Sequence, residues 1–322
     1  MPAEPVTDPR IRAWLAGALD GQRVATARPL AGGYRNDNVL LVTDTAGKYV
    51  LRRYRGGDIR SAGRTCGIEA ALAARLRGVV PVAEVIAADP AGSAAGQPLL
   101  LSRYVPGVMI SDALAQQDET AAGDLGRAAG TALAAVGSVS FGSDGFFAGT
   151  DLIPSAAGMP AGLPEFVEDS LRTAAARDAQ GGGGHADGGL SPAEQDGLRE
   201  LAARAAPGRR LVHADYNPKN LLAIRQDGRW SVTAVLDWEF AFSGSPLADI
   251  GNMLRPRPDD TAGLAAGFVA GYREAGGELP AGWREISEAL DLYALADFLT
   301  RPHEHRYFRQ AVALIRARLA GG

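Results

Sequence analysis

Residues 211–240 read LVHADYNPKNLLAIRQDGRWSVTAVLDWEF, and this stretch decides the fold. His213, Asp215 and Asn220 fall within eight residues. Asn217-Pro218 is a turn signal, so the three polar groups sit in a loop. Leu221 to Ile224 reads as a strand, Asp227-Gly228 as a two-residue hairpin turn, and Trp230 to Leu236 as the returning strand. Asp237 stands where that strand ends. A hairpin brings its ends together, so Asn220 is expected beside Asp237, with Asp215 close behind. Hard oxygen ligands converging in this way suit Mg²⁺, which takes the rest of its shell from phosphates and water. A nearby carboxylate that need not bind metal can accept a proton from an alcohol. Together these are the parts of a phosphoryl-transfer site.

Composition sets the frame for that reading. The chain has 322 residues with an apolar share of 46 %, enough to bury a sizeable core in one large domain or two lobes. A net charge of −4 gives no basic footprint for nucleic acid. Cys66 is the single cysteine, so no internal disulfide and no Cys/His metal spacing is available. The N-terminus lacks the basic start and apolar core of a signal peptide, and no apolar run is long enough to span a bilayer. A cytoplasmic protein without a membrane partner is expected.

Along the chain, residues 28–43 and 49–54 read as strands joined by turns at Gly32-Gly33 and at residues 45–48. Residues 65–77 read as a helix, with Ile68, Leu72 and Leu76 at helical spacing. Residues 82–87 and 98–105 read as strands. Helices are expected over 112–136, 165–178 and 191–206. Ser191, Pro192 and Glu194 form a helix-start signature for the last of these. Residues 181–189 (GGGGHADGG) form a low-complexity loop, where His185 reads as a solvated side chain. Residues 261–322 are expected to be helical. The reading is α+β: a strand-rich N-terminal lobe over 1–105, including a hinge, and a mainly helical C-terminal lobe over 106–322.

HADYNPKN followed by LDWEF resembles the catalytic loop and metal segment of the aminoglycoside phosphotransferase family. The family's two-lobed fold is like that of eukaryotic protein kinases. The resemblance runs in order from about residue 25 to 255. It implies Asp215 as catalytic base, Asn220 and Asp237 as Mg²⁺ ligands, and His213 as a structural residue of the loop. Gly32, Gly33 and Asn36 are similar to the family's Gly-Gly-x-x-Asn turn, whose backbone N–H groups would cover the phosphates. Arg52 stands where many relatives carry Lys. Arg53 is adjacent, and strand alternation lets only one of the two reach the nucleotide. Arg52 is the expected one, and Glu69 the helix carboxylate paired with it. Backbone groups of Arg103, Tyr104 and Val105 would meet a purine, either ATP or GTP. Asp249 reads as structural, holding the catalytic loop.

The family resemblance implies a small-molecule hydroxyl acceptor, plausibly an aminoglycoside or another antibiotic, and with it a resistance role. Asp259, Asp260, Glu274, Glu285, Glu288, Asp291, Asp297 and Glu304 are carboxylates that a cationic acceptor could use, although most such charges belong to solvated faces. Trp283, Tyr293 and Phe298 read as core. Arg301 to His305 reads as a helix start. Two alternatives stand beside the antibiotic kinase: a metabolic kinase of the same fold acting on choline, homoserine or a sugar, and a nucleotide-binding pseudokinase. The sequence does not give an oligomeric state.

Overall fold

Short continuous apolar runs, residues 39–42 and 99–101, build a first sheet that is covered on both faces. The structure is a computed structural model and describes residues 8–30, 36–55, 59–116, 119–155, 162–180, 189–205, 207–256 and 262–321. Gly32, Gly33, His185, Asp259 and Asp260 lie outside the described residues. Strands β1 (Val24–Pro29), β2 (Asn36–Thr43), β3 (Lys48–Tyr54), β4 (Val85–Asp89) and β5 (Leu99–Arg103) pair in the order β1-β2-β3-β5-β4. Every pair is antiparallel. Val39, Leu41, Leu51, Leu99 and Leu101 close a core with Ile11 and Leu15 of helix α1 (Pro9–Ala18). Leu100 and Tyr54 pack instead with Ala62 and Cys66 of α2 (Ile59–Leu76). Arg52 pairs across the ladder with Leu100, so the pleat turns its side chain to the α2 face.

Helix α2 starts six residues before the expected Thr65. Its first turns carry small and basic residues, which give no apolar period to read. Gly63 is required there by packing: a Cβ would stand 2.3 Å from the carbonyl oxygen of Pro90. Strand β5 ends at Arg103 rather than Val105, and the chain then crosses to β6 (Val108–Met109).

The remainder is mainly helical, with two small sheets. Its helices are α3 (Ile110–Leu114), α4 (Glu119–Ser138), α5 (Leu163–Gln180), α6 (Pro192–Ala202), α7 (Leu247–Leu254), α8 (Ala262–Glu274), α9 (Trp283–Leu290), α10 (Leu292–Leu299) and α11 (Arg306–Ala320). Its strands are β7 (Gly145–Phe147), β8 (Pro154–Ser155), β9 (Arg210–Val212), β10 (Leu221–Gln226), β11 (Arg229–Val235) and β12 (Phe242–Gly244). They pair as β11-β10-β6 and β8-β7-β12-β9. The helix expected over 112–136 is two helices, α3 and α4. The strands of two or three residues are too short to show an apolar period. The Ser191–Glu194 capping box is present, and His305 caps α11 through the Tyr307 amide.

Helices α4 and α8 meet backbone to backbone. A Cβ on Gly130 would stand 2.1 Å from the Phe268 oxygen, and one on Gly267 would stand 1.9 Å from the Gly123 oxygen. Such contact leaves no room for any side chain. The main core joins Leu125, Leu133, Tyr216, Val235 and Phe268 with Leu72 and Leu76 of α2, which ties the first sheet's helix to the helical part. Among the described residues no helix is long and apolar enough to cross a membrane.

Candidate active site

The hairpin sets the geometry. Leu221 pairs with Val235, and the turn residues Asp227 and Gly228 have φ of 50° and 78°. Positive φ at both centres matches strand twist and closes a two-residue turn. At the base, the Leu236 amide donates to the Asn220 carbonyl at 2.8 Å. Asn220 therefore stands beside Asp237, as the spacing predicts.

A buried anchor holds the loop before it. The amides of His213 and Ala214 donate to the two oxygens of Asp249, at 2.7 and 2.8 Å. Asp249 is fully buried, and burial pushes its carboxyl up to about 7 while these two amides favour the charged form. Ala214 sits at φ 67° and Asp237 at φ 67°. That region costs a non-glycine residue about 1–2 kcal/mol, so it persists only where neighbours impose it.

His213 Nε2 lies 2.8 Å from the Leu236 carbonyl, and its Nδ1 lies 3.2 Å from the Asp215 amide nitrogen. The carbonyl can only accept and the amide can only donate, so the ring is neutral with its proton on Nε2. Burial agrees, pushing His213 down from 6.5 to about 4. The unfolded chain therefore takes up this proton first as pH falls. Stability is fully present above pH 6.5 and is lost toward pH 4, by roughly 3 kcal/mol. We expect the urea midpoint of the wild type to fall over that window more steeply than that of His213→Gln. Parallel pH curves would contradict the assignment.

Asp215 is pinned by two amides. Asn217 Nδ2 donates to Oδ1 at 2.9 Å, and Asn220 Nδ2 donates to Oδ2 at 2.8 Å. Burial raises its carboxyl to about 6, against the pull of Asn220. Across the cleft, Arg52 NH1 donates to Glu69 Oε2 at 3.1 Å, and its NH2 contacts Asp237 Oδ1. The adjacent Arg53 lies 4.0 Å from Asp37. Glu69 is 7 % exposed, and burial raises its carboxyl to about 7 against the charge of Arg52.

One carboxylate was missed from the sequence. Glu239 lies two residues after Asp237, and oxygens of Glu69, Asp237 and Glu239 fall within 4.8 Å of one another. Among the described residues Oε1 of Glu69 is buried outside normal hydrogen-bond geometry, with the Tyr54 hydroxyl as its polar neighbour. A buried acceptor among converging carboxylates fits a hard divalent cation. Asn36, the described residue of the expected phosphate turn, donates to Glu239 Oε2 at 3.4 Å. At the expected hinge, the Arg103 amide donates to the Glu84 carbonyl at 2.8 Å and the Tyr104 amide to the Lys48 carbonyl at 3.0 Å. Those two amides are committed to the sheet, so a purine would have to meet carbonyls here or the Val105 amide.

Residues 26–288 match the model of the APH phosphotransferase enzyme family. The chain belongs to that family. It is similar in fold to a thermostable mutant of aminoglycoside phosphotransferase APH(4)-Ia in complex with ADP and hygromycin B, at 19 % identity and TM-score 0.66, over 97 % of this chain and 98 % of that one. It is also similar to APH(2")-IIa in complex with streptomycin and ATP, at 14 % identity and TM-score 0.65, over 96 % of each chain. A third likeness is to the macrolide 2'-phosphotransferase MphH from Brachybacterium faecium, at 20 % identity and TM-score 0.58, over 94 % of this chain and 96 % of that one. No curated protein matches the chain by sequence. These likenesses give the phosphotransferase a two-part, protein-kinase-like fold: a sheet-rich N-terminal region and a helical C-terminal region.

Several carboxylates of the phosphotransferase that could face a cationic acceptor already hold arginines. Asp291 is 2 % exposed and accepts from Arg255 Nε at 3.0 Å and from Arg318 NH2 at 2.6 Å. Asp297 pairs with Arg301, and Glu274 with Arg127. Glu285 and Glu288 are exposed on α9. The positive charge of Arg255 acts on Asp215. Its guanidinium lies 5.6 Å from the Phe298 ring, which stacks on Tyr307 at 4.8 Å. Trp283 is buried, as expected of core, but Phe298 is half-buried beneath arginines.

Proposed function

We propose that this phosphotransferase moves the γ-phosphoryl group of ATP or GTP to a hydroxyl of a small molecule. One observation carries the reading: Asp215, Asn220 and Asp237 meet at the base of one hairpin, with the Arg52–Glu69 pair facing Asp237. In this reading Asp215 accepts the hydroxyl proton while the acceptor oxygen bonds to the γ-phosphorus. The bond from that phosphorus to the bridging oxygen breaks, and the nucleoside diphosphate leaves. Asn220 and Asp237, with Glu239 close by, would hold Mg²⁺, which when bound supplies charge neutralisation on the triphosphate. Arg52, oriented by Glu69, grips the α- and β-phosphates as a planar fork. Gly32 and Gly33 would cover them, and the segment after Arg103 receives the purine as a hinge between a nucleotide-binding part, 1–105, and an acceptor part, 106–322. The nucleotide requirement fits a cytoplasmic enzyme.

The arginines and stacked rings around Arg255 favour a second, narrower reading of the acceptor: a neutral or anionic hydroxyl compound rather than a polycation. Arg255 and Arg318 share the one carboxylate of Asp291, and the surplus guanidinium charge repels cationic amines and accepts planar or anionic groups. A panel of hydroxyl compounds tests both readings, with nucleotide consumption as the readout and aminoglycosides, macrolides, choline, homoserine, sugars and hydroxy acids as acceptors. The phosphotransferase reading expects Mg²⁺-dependent turnover with at least one class. Turnover confined to aminoglycosides would contradict the narrower reading while upholding the broader one.

A further inference from the structure

Every polar atom of Asp215 is held by a neighbour. Its amide meets His213 Nδ1 at 3.2 Å. Its carbonyl accepts from Asn217 Nδ2 and from Asn220 Nδ2, each at 2.9 Å. The same two amide groups take one carboxylate oxygen each. Asn220 has a second task at the cation. Asn217 has none in the scheme above; its own oxygen caps the short turn Pro218–Asn220, accepting from the Lys219 amide at 3.0 Å.

We infer that Asn217 is a positioning residue for phosphoryl transfer: with Asn220 it clamps the plane of the Asp215 carboxylate toward the acceptor hydroxyl. This rests on Asp215 being the proton acceptor. An ionised carboxylate offers about four lone-pair sites, so one amide on each oxygen leaves a site on each for the hydroxyl. With Asn220 alone, only Oδ2 is fixed and the group can turn about that contact. A misplacement of about 1 Å at a reacting group costs about a hundredfold in rate. Both amides also favour the ionised form, in opposition to burial.

Asn217→Asp separates positioning from capping. The new carboxylate still accepts from the Lys219 amide, so the turn keeps its cap. It can no longer donate, and it sets a negative charge against Asp215. We expect kcat to fall by about tenfold to a hundredfold in Asn217→Asp, at least as far as in Asn217→Ala, with the nucleotide KM close to wild type. A role in capping alone predicts the opposite order, with Asn217→Asp near wild type and Asn217→Ala impaired. That order would overturn the inference. If Asp215→Ala kept full turnover, the proposed reaction scheme would fail instead. A second measurement needs no turnover. In ¹⁵N-labelled protein the side-chain amide signals of both Asn217 and Asn220 should move in Asp215→Ala. An Asn217 signal that stays in place would overturn the clamp.

Discussion

Replacing Asp215 by alanine is expected to cut turnover by about a hundredfold or more while Mg·nucleotide still binds. The carboxylate sits at the base of the β10–β11 hairpin, half-buried, with each oxygen held by one asparagine amide. A positioned base contributes about a hundredfold to ten-thousandfold, and kcat should fall within that range. The fold should survive, because the change removes a half-buried charge, although two amides lose their partner at about 1–3 kcal/mol each. Single-turnover kinetics with excess enzyme would separate the loss of chemistry from a loss of binding. Undiminished phosphoryl transfer in Asp215→Ala would remove Asp215 from the reaction.

The second large effect is expected at Arg52. Its guanidinium bridges Glu69 and Asp237, and its side chain is 13 % exposed. Arg52→Ala leaves Glu69 buried without its cation, and breaking a buried pair in this way costs about 3–5 kcal/mol. Calorimetric titration with Mg·AMP-PNP should also show nucleotide affinity weakened by more than about tenfold, the equivalent of one charge-assisted hydrogen bond or more. Arg53→Ala should lower nucleotide affinity less than Arg52→Ala, since the alternation of β3 turns Arg53 to the face opposite Arg52. Arg52→Lys should fall between, because an ammonium lacks the fork that reaches two carboxylates at once. Asp237→Ala in the same titration should weaken the Mg²⁺-dependent part of binding. An affinity loss in Arg53→Ala that exceeds the loss in Arg52→Ala would shift the register of β3 by one residue.

The catalytic hairpin was the most legible part of the sequence. Asp227-Gly228 demands positive φ, and residues with that tolerance fix where the strands fold back, so the nearness of Asn220 and Asp237 followed from spacing. The family resemblance pointed to Arg52, with the two-residue period of a strand allowing only one of Arg52 and Arg53 on that face, and to Glu69 as the one acidic residue on its helix. Other features had no local signal. Glu239 was in plain view beside Asp237, but its role depends on Glu69, which is distant in sequence. Asn217 read as a turn residue, and its second bond to Asp215 appears only when the loop is folded. The early start of α2 and the close contact of α4 with α8 rest on small residues, which carry no hydrophobic period. The pairing of Asp291 with Arg255 and Arg318 joins elements far apart in the chain, so these charges could be read only as a solvated face or an acceptor surface.

³¹P NMR of the reaction mixture reads the transfer of a phosphoryl group to a hydroxyl in one experiment. The wild type with ATP or GTP, Mg²⁺ and an acceptor from the active class should give a phosphomonoester and nucleoside diphosphate in equal amounts. Both signals should grow at least about a hundredfold more slowly in Asp215→Ala and be absent when Mg²⁺ is chelated. Formation of inorganic phosphate alone, or no phosphomonoester with any acceptor class, would contradict the account.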